Sequence, residues 1–366
     1  MTSAWPHVAL YVKSSGFYGA EQVAHLIVQG APADLRISVV GPHLEILRSV
    51  AGGRQGVELV EVPPVRHKAD LASLLQLRRA LRVLGPDVLH INLTDMAACL
   101  PEIFVAATLR GARIVAVEHN PFAPTSTFQR LAKSASVRLL TGHVAVSRSL
   151  AVAVADVTGE PLDAIDVIPN GIGETEPVRS ELHGRLRVGV ACRLVQEKGL
   201  DVLLDAIANV PGADLVIAGE GAMRDALFVR AARTDLAGRV RFVGWLDDVN
   251  DFYGSIDVYA LPSRAEAMPM SILEAMHRAI PVVASDVGGI SEIVVDGTAL
   301  LVPVDDAPAL AAALESLVQD PVLRRALGDA GFARARAEFS AATMAGRWAR
   351  LYGAVAVRAP RQRVVL

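Results

Sequence analysis

The chain has 366 residues, of which 52% are hydrophobic and 20% charged. That is more than one ordinary core holds and far from a disordered composition, so two domains are expected. A formal net charge of −3 gives no general reason to bind nucleic acid, and no uninterrupted apolar run reaches membrane-spanning length.

The start, MTSAWPHVALYVK, lacks a basic leader followed by a long apolar core, so a cytoplasmic address is expected. Cys99 and Cys192 lie in apolar surroundings with no CxxC or Cys/His cluster, and both are expected to be core residues rather than disulfide or zinc ligands. From residue 7 to about 170, seven short β-rich runs (HVALYV, RISVV, VELVEV, DVLHI, RIVAVE, GHVAVS and DVIP) alternate with helical patterns. Such alternation predicts a parallel sheet covered on both faces, with ligands at the carboxyl ends of its strands.

After the first run comes KSSGFYGAEQVAHLI, where Gly16 and Gly19 precede a helix starting near Ala20. A GxxG spacing reads equally as a tight turn or as a backbone that covers a diphosphate; Glu21 favours the helix start. His119, in EHNPF, follows the fifth run, and at that place a histidine offers both ring nitrogens to a cleft or serves as a satisfied structural residue. His90 and Asn92 in DVLHINL follow the same logic. No HxxxH or HExxH spacing occurs, which argues against a metallohydrolase. Basic residues on the pattern Leu71 to Leu84 (Arg78, Arg79, Arg82), with Arg110, Arg113, Arg130, Lys133 and Arg138, read as solvated helix faces or as a peripheral membrane patch.

After VIPNGI the periodicity stops, and GETEPVRSELHGR, within 173–185, is read as the linker. From Leu186 the alternation restarts and predicts a second parallel, doubly wound domain to residue 338. Its first strand ends in ACRLVQEKGLDVLLDAI, where Arg193 and Lys198 bracket the loop before a helix. Fixed N–H donors, a helix dipole and two long cations make a diphosphate site, although Glu197 and Lys198 also suit simple helix capping. Gly219 and Gly244-Trp245 fit the walls of a base pocket, and Gly288-Gly289 fits a second phosphate-facing turn.

The segment LPSRAEAMPMSILEAMHRAI carries Glu266 in a loop and Glu274 within a helix beginning near Met270. Taken alone, Glu266 is a solvated acid and Glu274 an i,i+4 partner of Arg278. Taken with the phosphate-suited turns, the loop carboxylate faces whatever a bound phosphate carries. The tail after Glu338 reads as a helix with Phe339, Met344, Trp348, Leu351 and Tyr352 at helical spacing, and the last ten residues as frayed.

The ordered set YGAE, EHN, VIPNG, RLxxEKG, GEG, FxGW, PSRxEAMPMSILEAM, PVVASDVGGISEIV and GxxLLV resembles glycosyltransferase family four, retaining nucleotide-sugar transferases. The resemblance implies the GT-B fold: an α/β chain of two Rossmann-like, doubly wound parallel-sheet domains (1–172 and 186–338) facing across a cleft, with a helix over 339–356 crossing back to the first. It implies Arg193 and Lys198 on the donor diphosphate in place of a metal, Glu274 on the ribose hydroxyls, Glu266 under the donor sugar, His119 near the anomeric centre, and the Gly16–Gly19 loop over the diphosphate. The donor set thus expected is Gly16, Gly19, Arg193, Lys198, Gly219, Trp245, Glu266, Met268, Pro269, Met270 and Glu274, with His119, Glu266, Arg193 and Lys198 catalytic.

No cofactor or metal is expected, only a nucleoside diphosphate sugar and an acceptor glycan, glycolipid or small molecule. The expected reaction is same-face transfer of a hexose to a hydroxyl; an epimerase, a hydrolase or a non-catalytic sugar-nucleotide-binding subunit are the alternatives. Two departures stand out. Ala267, Met268 and Pro269 replace the family's usual glycine and following residue, and Asn92 stands where a second histidine is common.

Overall fold

The computed structural model describes residues 5–67, 70–111, 113–178, 184–246 and 248–357. The chain forms two compact units, dividing at 173/174 and again at 340/341. Residues 179–183 of the expected linker, and the expected frayed tail beyond Val357, lie outside the described residues. Within the linker, Val178 N donates to Arg278 O at 2.8 Å and Thr175 Oγ1 to His277 O at 2.7 Å, so its first half is a bonded segment of the second unit.

The first unit holds seven strands, β1 Val8–Tyr11, β2 Ile37–Gly41, β3 Glu58–Glu61, β4 Val88–Leu93, β5 Arg113–Glu118, β6 Gly142–Ala145 and β7 Ile165–Val167. All pairings are parallel, in the order β3-β2-β1-β4-β5-β6-β7. Each strand falls on one of the seven expected runs. Those runs are rich in Val, Ile and Ala because helices cover both faces, and β1, β2 and β4 are buried along their whole length. Strand order reverses between β1 and β4, so the loops after these strands part and leave a crevice at their carboxyl ends.

The helix Ala341–Val357 belongs to this unit and packs on the helix Gly19–Gly30 and on β4. It buries Met344, Trp348 and Tyr352, and the crossing is close because Gly30 lacks the Cβ that would sit 2.6 Å from Ala345 Cβ. Phe339, placed by the helical spacing on the same stripe, instead lies in the second unit. His90 is covered by this helix: Nδ1 lies 2.7 Å from Tyr352 Oη, and the ring centroid is 4.5 Å from that of Trp348. Burial, with the charge of His119 second, lowers its pKa to about 3. It is therefore a neutral packing residue, and the cleft-facing reading is corrected.

On the other side of β5, Glu118 is wholly buried with Lys133 and His143. His143 Nε2 lies 2.9 Å from Glu118 Oε1 and its Nδ1 lies 2.6 Å from Glu160 Oε2. Lys133, expected on a solvated face, is instead the internal counter-ion of Glu118.

The second unit is a six-stranded parallel sheet of β8 Leu186–Ala191, β9 Ala213–Ala218, β10 Val240–Gly244, β11 Val258–Leu261, β12 Val282–Ser285 and β13 Leu300–Val302. Its order is β10-β9-β8-β11-β12-β13, with the reversal between β8 and β11. The loops that carry Arg193–Lys198 and Pro262–Met268 leave those two strands.

Candidate functional site

The second unit brings Lys198 and Glu266 together. Gly199 has φ +64°, and a Cβ there would lie 2.0 Å from Pro262 O, so glycine lets the β8 loop press against the β11 loop. Lys198 Nζ then lies 2.5 Å from Glu266 Oε1, and Ser263 Oγ donates to the same oxygen at 2.8 Å. Both side chains are mostly buried, at 18% and 9% exposure. Glu266 Oε2 has no hydrogen-bond partner among the described residues. Arg193 is exposed on the same loop, ahead of the nine-residue helix Leu200–Ala208. Neither simple reading survives: Lys198 does not cap a helix, and Glu266 is not a solvated acid.

The turn at Gly288-Gly289, expected to face a phosphate, holds the Glu266 backbone. Gly288 has φ +56°, a Cβ there would meet Glu266 O at 1.9 Å, and Gly289 N donates to that oxygen at 3.3 Å. Gly219 likewise closes on its own unit, since a Cβ would lie 1.9 Å from Cys192 O. Its close approach is made to the loop after β8. Trp245 remains half exposed at the end of β10, whereas Met268 and Pro269 are buried. Pro269 instead precedes the short helix Met270–Met276, whose first residue, Met270, is partly exposed.

Glu274, on that helix, accepts from Tyr253 Oη at 2.8 Å. Burial raises its pKa, against the opposing pull of the Tyr253 hydroxyl and Arg278. The expected i,i+4 ion pair is absent: Arg278 Nη1 donates to the backbone oxygen of Glu274 at 3.0 Å and Nη2 to Asn250 Oδ1 at 2.5 Å, with the guanidinium 4.7 Å above the Tyr253 ring.

In the first unit, the loop after β1 is tied by a buried acid. Glu21 accepts from Ser14 Oγ at 2.5 Å and from Tyr18 N at 3.1 Å. Gly16 leaves room for the Tyr18 ring, which a Cβ would meet at 2.6 Å, and Gly19 is the first residue of its helix. Nearby, Lys13 Nζ lies 2.7 Å from the buried Glu102.

His119 follows β5, with N donating to Leu93 O at 3.1 Å and Nε2 lying 2.9 Å from Asn92 Oδ1. With the amide in this orientation, Nε2 carries the proton and Nδ1 keeps a lone pair. One ring nitrogen is available, not two. Burial, against the weaker pull of Glu118, lowers the pKa to about 4, so the ring is neutral near pH 7. Asn92 is thus the residue that orients His119. Among the described residues, no group of three His, Cys, Asp or Glu side chains is placed to hold a metal ion.

Residues 17–175 match the family described as Glycosyltransferase Family 4, and residues 185–320 match Glycosyl transferases group 1. The 2-deoxystreptamine N-acetyl-D-glucosaminyltransferase of Streptomyces fradiae is 30% identical over 317 residues, covering 78% of this chain and 73% of that enzyme. The chain belongs to glycosyltransferase family four. The lipopolysaccharide core biosynthesis glycosyltransferase LpsE of Rhizobium meliloti is 36% identical over 149 residues, and this match spans 40% of the chain and 44% of the relative, less than half its length. In fold, the family member aligns with the Anabaena protein HepE crystallised with UDP-glucose: TM-score 0.82 at 21% identity, over 95% of this chain and 100% of that one.

Sequence reasoning named Asn92 but not its bond to His119, and it missed Tyr253, Ser263 and the holding role of Gly288. Only Ser263 had a local signal, standing three residues before Glu266 in a turn.

Proposed function

We propose that this glycosyltransferase is a retaining, metal-independent hexosyltransferase that moves a hexose from a nucleoside diphosphate sugar to an acceptor hydroxyl. The observation that carries the reading is the Lys198–Glu266 pair at the strand-order reversal between β8 and β11. An ammonium suited to phosphate is held beside a carboxylate suited to a sugar. The HepE complexes with UDP and with UDP-glucose support a uridine donor. The names of the matched relatives support a glycan, glycolipid or secondary-metabolite acceptor.

In this reading Arg193, Lys198 and the N–H groups opening the helix Leu200–Ala208 take the diphosphate, with Arg193 binding two oxygens at once. As Lys198 turns to phosphate, Glu266 Oε1 is released to the sugar. The bond from the anomeric carbon to phosphate oxygen breaks, and the acceptor oxygen bonds the same face. The acceptor proton passes to the leaving phosphate oxygen, giving glycoside and nucleoside diphosphate. Glu266 stabilises the positive charge that develops between the two events, and the cations stabilise the departing diphosphate. Glu274 accepts the vicinal ribose hydroxyls. His119 Nδ1, held neutral, accepts a substrate hydroxyl.

The test is thermal stabilisation by UDP, GDP, ADP, dTDP and their sugars with EDTA present, in wild type and Arg193→Ala, followed by NMR of the product anomer. Ligand at about a hundred times its dissociation constant adds about 2.7 kcal/mol. Selective, EDTA-resistant stabilisation lost in the variant, with the donor's anomeric configuration kept in the product, is the expected result. An inverted product, a requirement for a divalent ion, or equal turnover without acceptor would overturn the reading.

A further inference from the structure

We propose that the first unit carries a second anion site, for a phosphate-bearing ligand, at the amino edge of its sheet. The observation is a cavity of about 470 Å³ lined by Arg78, Arg82 and Arg110, with Thr108 on its wall and Leu81 and Leu89 among its apolar residues. None of the described residues that line it is acidic. The cavity sits where Gly85 and Pro86 lead into β4 and where Arg110 precedes β5. His119 stands beyond the opposite end of β5, whose six residues span about 17 Å. The cavity is therefore distinct from the candidate site at the carboxyl ends and does not rest on the reading of that site.

Three cations converge here without a counter-ion. Among the described residues none of the three has a carboxylate partner, whereas in the neighbouring groove Arg36 has Glu58 at 3.5 Å. Asp87, the nearest acid in sequence, turns its carboxylate to His7 N at 2.8 Å. A helix C-terminus accounts for Arg82, which lies in the last turn of the helix Leu71–Leu84. It does not account for Arg78 one turn earlier, where like charges at i,i+4 repel, nor for Arg110 arriving from the next loop.

Arg78 is also pre-oriented. Its Nε donates to Thr108 Oγ1 at 2.7 Å, and Thr108 Oγ1 donates to Val105 O at 2.7 Å, so the guanidinium is fixed while its two terminal nitrogens make no bond among the described residues. Planar, fixed forks of this kind suit the oxygens of phosphate, and the apolar wall of Leu81, Leu89 and Pro86 suits a carbon skeleton attached to it. Leu71 and Leu75 are exposed on the same helix face as Arg78 and Arg82. The phosphate can thus come from a soluble ester or from a lipid headgroup beneath which those leucines insert.

The full chain is titrated with glycerol 3-phosphate by calorimetry and sedimented with phosphatidylcholine vesicles with and without phosphatidylglycerol. The variants are Arg82→Gln/Arg110→Gln, both at exposed positions, and Arg193→Ala/Lys198→Ala, which removes the expected diphosphate cations. Glycerol 3-phosphate binding that weakens about tenfold or more in the first variant and survives in the second establishes the site with a soluble ester. Sedimentation that requires phosphatidylglycerol and is lost in the first variant alone establishes it with a headgroup. If neither probe binds the wild type, or if Arg82→Gln/Arg110→Gln binds as the wild type does, the proposal is wrong.

Discussion

Tyr253→Phe removes a single hydroxyl. The ring is fully buried, stacked edge-on with Phe252 at 5.2 Å and capped by Arg278, and phenylalanine keeps all of that packing. Only the hydroxyl is lost, which lies 2.8 Å from Glu274 Oε2 and, more weakly placed, 3.2 Å from the backbone oxygen of Ser271. A hydrogen bond to a charged group contributes about 1.5–3 kcal/mol, so donor affinity should fall by about tenfold to a hundredfold if the Glu274 carboxylate holds the ribose diol. Burial already raises the pKa of Glu274, and the Tyr253 hydroxyl is the foremost group opposing that rise. Without it the carboxyl protonates more readily, so the affinity loss should shrink as pH increases. The assay is calorimetry with UDP and 2′-deoxyuridine diphosphate from pH 6 to 9, alongside steady-state turnover. Wild type should discriminate against the deoxynucleotide and the variant should lose that discrimination, with turnover at saturating donor little changed. Equal weakening toward both nucleotides, or no weakening at all, would refute the role given to Glu274.

Glu266→Gln should lower turnover by orders of magnitude while donor affinity, measured by calorimetry, changes by less than about tenfold, because the lost charge matters most when the sugar is cationic. Gly288→Ala should cost about 1–2 kcal/mol in chemical denaturation from its left-handed backbone alone, and more from the contact with Glu266 O, with activity lost as Glu266 shifts. Gly297→Ala, at φ +81° with open space around it, should show only the stability loss.

His143 donates to two carboxylates, which requires a proton on each ring nitrogen; Glu118 and Glu160 outweigh burial and the nearby Lys133, and raise its pKa. Its stabilisation is therefore complete below the unfolded value near 6.5 and is lost as pH rises through the folded value, at about 1.4 kcal/mol per pH unit between them. Melting temperature should fall over that window in wild type and be flatter in His143→Gln.

The parts of this molecule legible in the sequence are those decided by short-range pattern. Runs such as RIVAVE and PVVAS are continuous apolar stretches because both faces of a parallel sheet are covered, and that requirement is visible without knowing which strand lies alongside. The candidate site residues stand out for a similar reason: Glu266 and Glu274 sit in one segment, and Arg193 and Lys198 in another, each next to a turn. What was not legible is every contact settled by strand order. The carboxylate of Glu274 is held by Tyr253, 21 residues upstream, and Glu266 is held by Lys198, 68 residues away.

Glycine shows why such contacts escape a linear reading. Gly219 reads as a base-pocket wall and Gly288 as a phosphate turn because the close approach that excludes a Cβ is the same whether the approaching group is a ligand or a backbone oxygen. Strand order supplies the backbone partner, since Gly288 follows β12, the sheet neighbour of β11, from which the Glu266 loop springs. Histidine shows the converse. His90 and His119 look alike in sequence, each in an apolar run read as a strand end, yet His90 lies in the middle of β4, under the C-terminal helix, while His119, one residue past β5, reaches Asn92 and keeps a free lone pair. Chemistry-bearing residue types mark where a site can be, and the neighbours brought in by topology decide which of them are free to act.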